Sequence, residues 1–182
     1  MVQINKRISE ALGKKLKSGK IGVIPTDTIY GIVSSALNRK SVLKLYKIRK
    51  RNLKKPMIVL ISSIKDLDLF NVKIDKRKIK KYWPGRLSIV FPVKKFDYLH
   101  RGRKSLAFRL PKNKYLIDLL RISGPLVAPS ANIEGKEPAQ TVEEAKKYFG
   151  DKIDFYLDAG KLKSKTSKII SLERGLVEVV RK

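Results

Sequence analysis

The sequence predicts an α/β fold built on a mixed sheet, and three observations predict it. Segments of helical periodicity intermix with short β-branched runs along the whole length. No internal repeat or low-complexity linker interrupts them. The 182 residues are 42% hydrophobic, enough for a sizeable core, and one domain is expected over residues 1–182.

Residues 4–18 place Ile8, Ala11, Leu12 and Leu16 on one face with lysines opposite, an amphipathic helix stopped near Gly19. Ile21 to Ile24 reads as a buried strand ended by Pro25, and Thr26 to Gly31 as a polar turn. Residues 39–50 predict a helix with Val42, Leu45 and Tyr46 inward, and Met57 to Ile61 a strand. Short helical pieces follow around Asp66 to Leu69 and Lys76 to Tyr82. Leu87 to Val93 and Ser105 to Leu110 are strands joined by a basic loop that holds the only histidine, His100. Tyr115 to Arg121 is a helix, Pro125 to Ala128 a strand, and Val142 to Phe149 a helix capped by Thr141. Phe155 to Leu157, Lys168 to Leu172 and Leu176 to Val180 complete the strands.

Composition excludes several chemistries. There is no cysteine, so disulfides, thiolate nucleophiles and zinc-thiolate sites are ruled out. Met1 to Ser18 has no apolar signal core, and no run approaches the roughly 18–20 apolar residues of a membrane span; a cytoplasmic protein with no membrane partner is expected. Against 16 Asp and Glu stand 43 Lys and Arg, a net charge of +27, which favours phosphate-bearing partners such as nucleotide or RNA. A general drift of surface positions toward lysine accounts for the excess equally well, since it runs through nearly every segment.

Chemistry concentrates in a few stretches. Thr26, Asp27 and Thr28 put two hydroxyls and a carboxylate just past a strand, where ligands gather in open α/β sheets; an ordinary capped turn fits them equally. Neither standard glycine-rich phosphate loop is present. Residues 39–55 instead carry nine basic side chains and no acid. Most of those lysines read as a solvated helix face. Arg49, Arg51 and Lys55, ahead of Pro56, read as cations aimed at one phosphate-binding point. Ser105, Ala107 and Arg109 share one strand face, and a guanidinium there needs either a carboxylate ligand or an internal acid. Ser130 and Asn132 lie at another strand end, and Ser130 lacks the glycine elbow and nearby histidine of a nucleophile, so hydrogen bonding is its role. Trp83 reads as a packing anchor.

Taken together, Pro25-Thr26-Asp27-Thr28-Ile29-Tyr30-Gly31, the Arg49-Lys50-Arg51 to Lys55-Pro56 block, Trp83-Pro84-Gly85, Arg109-Leu110-Pro111 and Pro129-Ser130-Ala131-Asn132 resemble, in order and spacing, the YrdC-like threonylcarbamoyl-AMP synthases. The resemblance covers about residues 8–181 and is to the short, single-domain form. It implies a twisted open mixed sheet flanked by helices around a concave, positively charged groove. It implies the reaction too: L-threonine, bicarbonate (as CO2) and ATP give L-threonylcarbamoyl-AMP and pyrophosphate, for N6-threonylcarbamoyladenosine at tRNA position 37. Separate threonylcarbamoyl-transferase proteins complete that modification, and a magnesium ion is expected on the phosphates.

By similarity, threonine is expected at Thr26, Tyr30, Arg109 and Ser130. ATP is expected at Arg49, Arg51, Lys55, Ser105, Asn132, Ser167 and Arg181, with Arg49, Arg51 and Lys55 catalytic. The chain departs from the family pattern at Arg49, where lysine is usual, at Asn52, at Leu60, at Glu134 where Ser-Gly is expected, and at Lys168. Two other functions fit parts of the sequence. A non-catalytic RNA-binding module would use the same basic face. A carbamoyl-transfer domain is normally part of a longer chain with zinc fingers, which the missing cysteines argue against.

Overall fold

The computed structural model describes residues 6–164, 166–172 and 178–181. Five α-helices lie among them: α1 (Lys6–Lys17), α2 (Arg39–Ile48), α3 (Asp97–His100), α4 (Lys114–Ser123) and α5 (Val142–Phe149). The strands are β1 (Gly22–Pro25), β2 (Tyr30–Ser35), β3 (Val59–Leu60), β4 (Leu87–Pro92), β5 (Ser105–Arg109), β6 (Leu126–Val127), β7 (Phe155–Tyr156), β8 (Lys168–Ser171) and β9 (Glu178–Arg181). They form one sheet in the order β7-β1-β2-β6-β3-β5-β4-β8-β9. Pairing is mixed: β1–β2, β2–β6, β3–β6, β4–β5 and β8–β9 are antiparallel, whereas β1–β7, β3–β5 and β4–β8 are parallel.

Strands β1 and β2 are buried on both faces, every residue of each being buried, whereas β9 at the far edge is exposed throughout. Ile24, Val33, Leu60 and Leu126 point to one face and pack with Leu12 and Leu16 of α1 and Leu116, Leu119 and Leu120 of α4. Their strand neighbours Val23, Ile32, Val59 and Val127 point to the other, joining Val42, Leu45 and Tyr46 of α2 and Ala145 and Phe149 of α5. Helices α1 and α4 meet closely at Gly13, where an added Cβ would come within 2.6 Å of Ile122 Cγ2. The helix starts are set by side chains: Asn38, Asn113 and Thr141 accept from Ser41, Leu116 and Glu144 backbone N–H groups at 3.0, 3.2 and 3.2 Å. No helix among the described residues is long and apolar enough to cross a membrane.

Most expected elements are present; three readings need correction. Tyr30 and Gly31 are not part of the turn but open β2, which continues through Ile32 to Ser35, a run to which no element had been assigned. Ala11 is exposed, and Gly13 takes its place on the buried face of α1; the side chain of Ile8 lies outside the described residues. The 94–104 connection is not all loop but holds α3, which buries Tyr98 and donates its hydroxyl to Ala36 O at 2.9 Å. The last strand is present over Glu178–Arg181, and Leu176 and Val177, the start of its expected span, lie outside the described residues. Trp83 is an anchor, 5% exposed, its indole N–H donating to Leu87 O at 2.7 Å and its ring edge-on to Phe91.

Candidate active site

Sheet order brings distant segments to one place. The β1–β2 turn, the end of β5, the segment after β6 and the approach to β8 surround a cavity of about 140 Å³, roughly ten times the room one water needs. Thr26, Tyr30, Arg51, Arg109, Ser130, Ser167 and Arg181 all line it, seven of the residues expected from sequence. Asn132 and Arg49 sit behind Ser130. Lys55 stands at the rim. Ser105 lies apart, in a neighbouring depression with Arg103 and Ser171 that shares Pro56 and Ile169 with the cavity.

The turn is stiffened by its own hydroxyls. Thr26 Oγ1 donates to Ile29 O at 2.7 Å and accepts from the Thr28 N–H at 3.2 Å, while Thr26 N–H closes the hairpin onto Ile29 O at 3.2 Å. Gly31 packs closely beside it: a Cβ there would lie 3.2 Å from Thr26 Cγ2, tighter than an ordinary contact, and at normal contact distance from Pro129 O. Tyr30 is fully buried and its hydroxyl is engaged: it donates to Gly160 O at 2.8 Å and accepts from the Ala159 N–H at 2.9 Å. Through it β2 holds the 158–160 segment that leads toward Thr166 and Ser167.

Arg109, 4% exposed, finds an internal acid, one of the two solutions its sequence position allowed. Its Nη2 lies 2.9 Å from Asp27 Oδ1 and its Nη1 3.4 Å from Thr28 Oγ1. The pair is a charge contact rather than an aligned hydrogen bond: both Asp27 carboxylate oxygens and Arg109 Nε are buried without a hydrogen-bond partner. Burial pushes the Arg109 guanidinium below its ordinary value, Asp27 opposes this, and Arg181 and Arg86 depress it further.

Arg49 is a brace. It is 2% exposed, donating from Nε to Asn132 O at 3.0 Å and from Nη2 to Asn132 Oδ1 at 2.8 Å, with Ser130 Oγ 3.5 Å away. Ser130 Oγ in turn donates to Asn132 Oδ1 at 2.7 Å. Burial and the neighbouring Arg51 lower the Arg49 pKa to about 10, which leaves it cationic at neutral pH; Nη1 makes no hydrogen bond. Arg51 is shaped by the chain that follows it, giving Nε to Lys55 O at 3.0 Å and Nη2 to Pro56 O at 2.9 Å. Arg181 grips Ser167 O from Nη2 at 2.6 Å, and Ser167 Oγ lies 3.1 Å from Ser88 Oγ. Arg181 too is lowered by burial and by Arg51.

The cavity thus gathers three guanidinium groups that repel one another, with hydroxyls between them. An anion placed among them would relieve the repulsion. Among the described residues no group of three or more His, Asp or Glu side chains could hold a metal ion. Sequence reasoning named the Asp27 carboxylate and Glu134 but not their partners: Asp27 meets Arg109, and Glu134 meets Lys55 Nζ at 3.0 Å.

Known proteins show the same pattern of chain. The family model for Sua5, YciO and YrdC proteins, described as "Telomere recombination", matches residues 14–182. A Methanocaldococcus jannaschii relative is 36% identical over 171 residues, covering 92% of this chain and 82% of its own. The threonylcarbamoyl-AMP synthase of Idiomarina loihiensis is 31% identical over 157 residues, 82% of this chain and 84% of its own. The crystal structure of P. abyssi Sua5 complexed with L-threonine superposes with a TM-score of 0.90 at 26% identity, covering 98% of this chain and 55% of that one. By sequence and by fold, this chain belongs to the Sua5/YciO/YrdC family.

Proposed function

We propose that this protein is an L-threonylcarbamoyl-AMP synthase of the cytoplasm, with its site in the concave, positively charged groove around Arg51, Arg109 and Arg181. The observation that carries the reading is the convergence of those three guanidinium groups with Thr26, Ser130 and Ser167 on one small cavity. L-threonine fits the enclosed part, its carboxylate toward Arg109 and its hydroxyl and amine among Thr26 and Ser130. Tyr30 serves this pocket as a wall, held by its bonds to residues 159 and 160. ATP is too large for the cavity alone and lies across the more open side, where Arg51, Lys55, Ser167 and Arg181 meet it, with Ser105 farther along the same groove and Arg49 and Asn132 supporting from behind.

The threonine amine takes up CO2 from bicarbonate to give a carbamate. A carbamate oxygen then attacks the α-phosphorus, the bond from that phosphorus to the β-phosphate bridging oxygen breaks, and pyrophosphate leaves. Both reactants are anions, so repulsion is the main barrier, and fixed cations with fixed positions lower it. No strong base is demanded, in keeping with a cavity lined by hydroxyls and guanidinium groups. Magnesium is expected to arrive with ATP: Asp27 and Glu134 each face a cation, and no group of three or more carboxylate or histidine side chains among the described residues forms a cage for it. The product would serve t6A formation at tRNA position 37 through separate transferase proteins. A bare RNA-binding module gives no reason for a threonine-sized cavity under the basic face.

Purified protein with ATP and magnesium is expected to release pyrophosphate only when L-threonine and bicarbonate are both present, and to lose most of that release in Arg109→Ala. Release with either co-substrate omitted, or none with both, would sink this reading.

A further inference from the structure

The rim of the groove already holds an anion of its own. Glu134 Oε1 lies 3.0 Å from Lys55 Nζ and 3.9 Å from Arg51 Nη1, while Oε2 accepts the backbone N–H of Asn52. A backbone N–H, an ammonium and a guanidinium around one pair of oxygens is a donor set suited to a phosphate group. The carboxylate is well placed to stay there. Its own backbone N–H is tied to Arg49 O at 3.0 Å, and Gly135, at φ +84°, turns the chain directly after it. The Asn52 N–H and Lys55 hold its carboxyl below the usual carboxylate range, so it is an anion at neutral pH. Lys55 is drawn to the rim by this contact and does not line the cavity, although it stands in the basic block with Arg51.

We propose that Glu134 is a built-in competitor for the phosphate site, its carboxylate occupying the Lys55–Arg51–Asn52 donors until a polyphosphate displaces it. The proposal rests on reading the groove as a polyphosphate site. The pair is exposed enough to exchange: the Lys55 side chain is 59% exposed and that of Glu134 25%. A polyphosphate carries several charges against one and wins the donors when bound. When pyrophosphate is the leaving group, Glu134 reclaims Lys55 and helps it depart. The carboxylate therefore weakens ground-state binding and speeds product release.

The test is calorimetric titration of the full chain with inorganic tripolyphosphate, for wild type, Glu134→Gln, Lys55→Ala and the double variant. Glutamine keeps an acceptor for the Asn52 N–H but not the charge. Expected is about tenfold tighter binding for Glu134→Gln, with the gain gone in the Lys55→Ala background, where the two substitutions couple. Equal or weaker binding in Glu134→Gln, a gain that survives loss of Lys55, or no tripolyphosphate binding by any variant would each overturn it. Glu134→Asp, which withdraws the carboxylate by one methylene, is expected to show a smaller gain; should Glu134→Gln fail to fold, equal or weaker binding by Glu134→Asp would overturn the proposal. Pyrophosphate release in the same preparations separates the two ideas. A tripolyphosphate gain without threonine-dependent release retains the competitor and removes the synthase. Release without the gain does the reverse.

Discussion

The floor and the rim of the cavity are both made of cations beside acids, yet they are built on opposite terms. On the floor Arg109 and Asp27 have side chains 5% and 8% exposed, and Arg49 is buried against Asn132. Desolvation makes such groups costly to leave unpartnered. At the rim Lys55 and Glu134 meet at nearly the same distance, 3.0 Å against 2.9 Å, but in water. A like distance has a different meaning: the floor pair fixes the shape of the site, whereas the rim pair can be traded for a ligand.

Arg109→Ala should break the floor most severely, because it strands a buried carboxylate; a loss of about 3–5 kcal/mol in urea unfolding is expected. If it costs no more than Lys55→Ala, floor and rim do not differ. Arg49→Ala comes next, at about 2–3 kcal/mol, since in a buried setting Asn132 O loses the Arg49 donor and Oδ1 is left with Ser130 alone. Lys55→Ala sharpens the contrast from the other side: stability within about 0.5 kcal/mol of wild type, but threonine-dependent pyrophosphate release down roughly 100-fold. A stability loss without a rate loss would move Lys55 to the floor class.

The smallest effect is on acid stability. Glu134 titrates below its ordinary value of 4.5 in the folded chain, so its contribution is full above that value and is lost as pH falls through the lower, folded one. Unfolding midpoints of wild type and Glu134→Gln followed from about pH 6 to about pH 3 are therefore expected to converge in acid. Midpoints that stay parallel would remove the charge of Glu134 from the account.

How much of this was legible in the sequence depended on whether the signal was local. The Thr141 cap, the inward face of α2 and the alternation that set Ser105, Ala107 and Arg109 on one side of β5 are nearest-neighbour patterns, and all are present. Strand β2 was missed for a physical reason: every residue from Tyr30 to Ser35 is buried, so no inward–outward alternation marks it, and Gly31 and two serines dilute its apolar signal. The need of Arg109 for a carboxylate could be read; that Asp27 supplies it could not, because the two are joined only when β1 and β5 enter one sheet. Arg49 shows the same limit. In its basic stretch it is one cation among many, and only the fold turns it, at the C-terminal cap of α2, inward onto Asn132. Glu134 stood out in the sequence as a departure from pattern, with nothing to say that it would reach Lys55.

Strand β1 also sets a schedule. Its outer edge pairs with β7, and the Ile21 N–H reaches Asp154 Oδ2 at 2.8 Å across 133 residues of chain. During synthesis that edge waits roughly 7 to 27 seconds for its partner to be made. The β1–β2 hairpin is complete within the first 35 residues, whereas Phe155 of β7 lies 133 residues on from its β1 partner Gly22. Such pairing raises the contact order, so refolding on the scale of milliseconds to seconds is expected. An apolar strand edge left bare for that interval is a surface on which chaperones would act, and the cell meets this protein first as an aggregation risk and only afterwards as a catalyst.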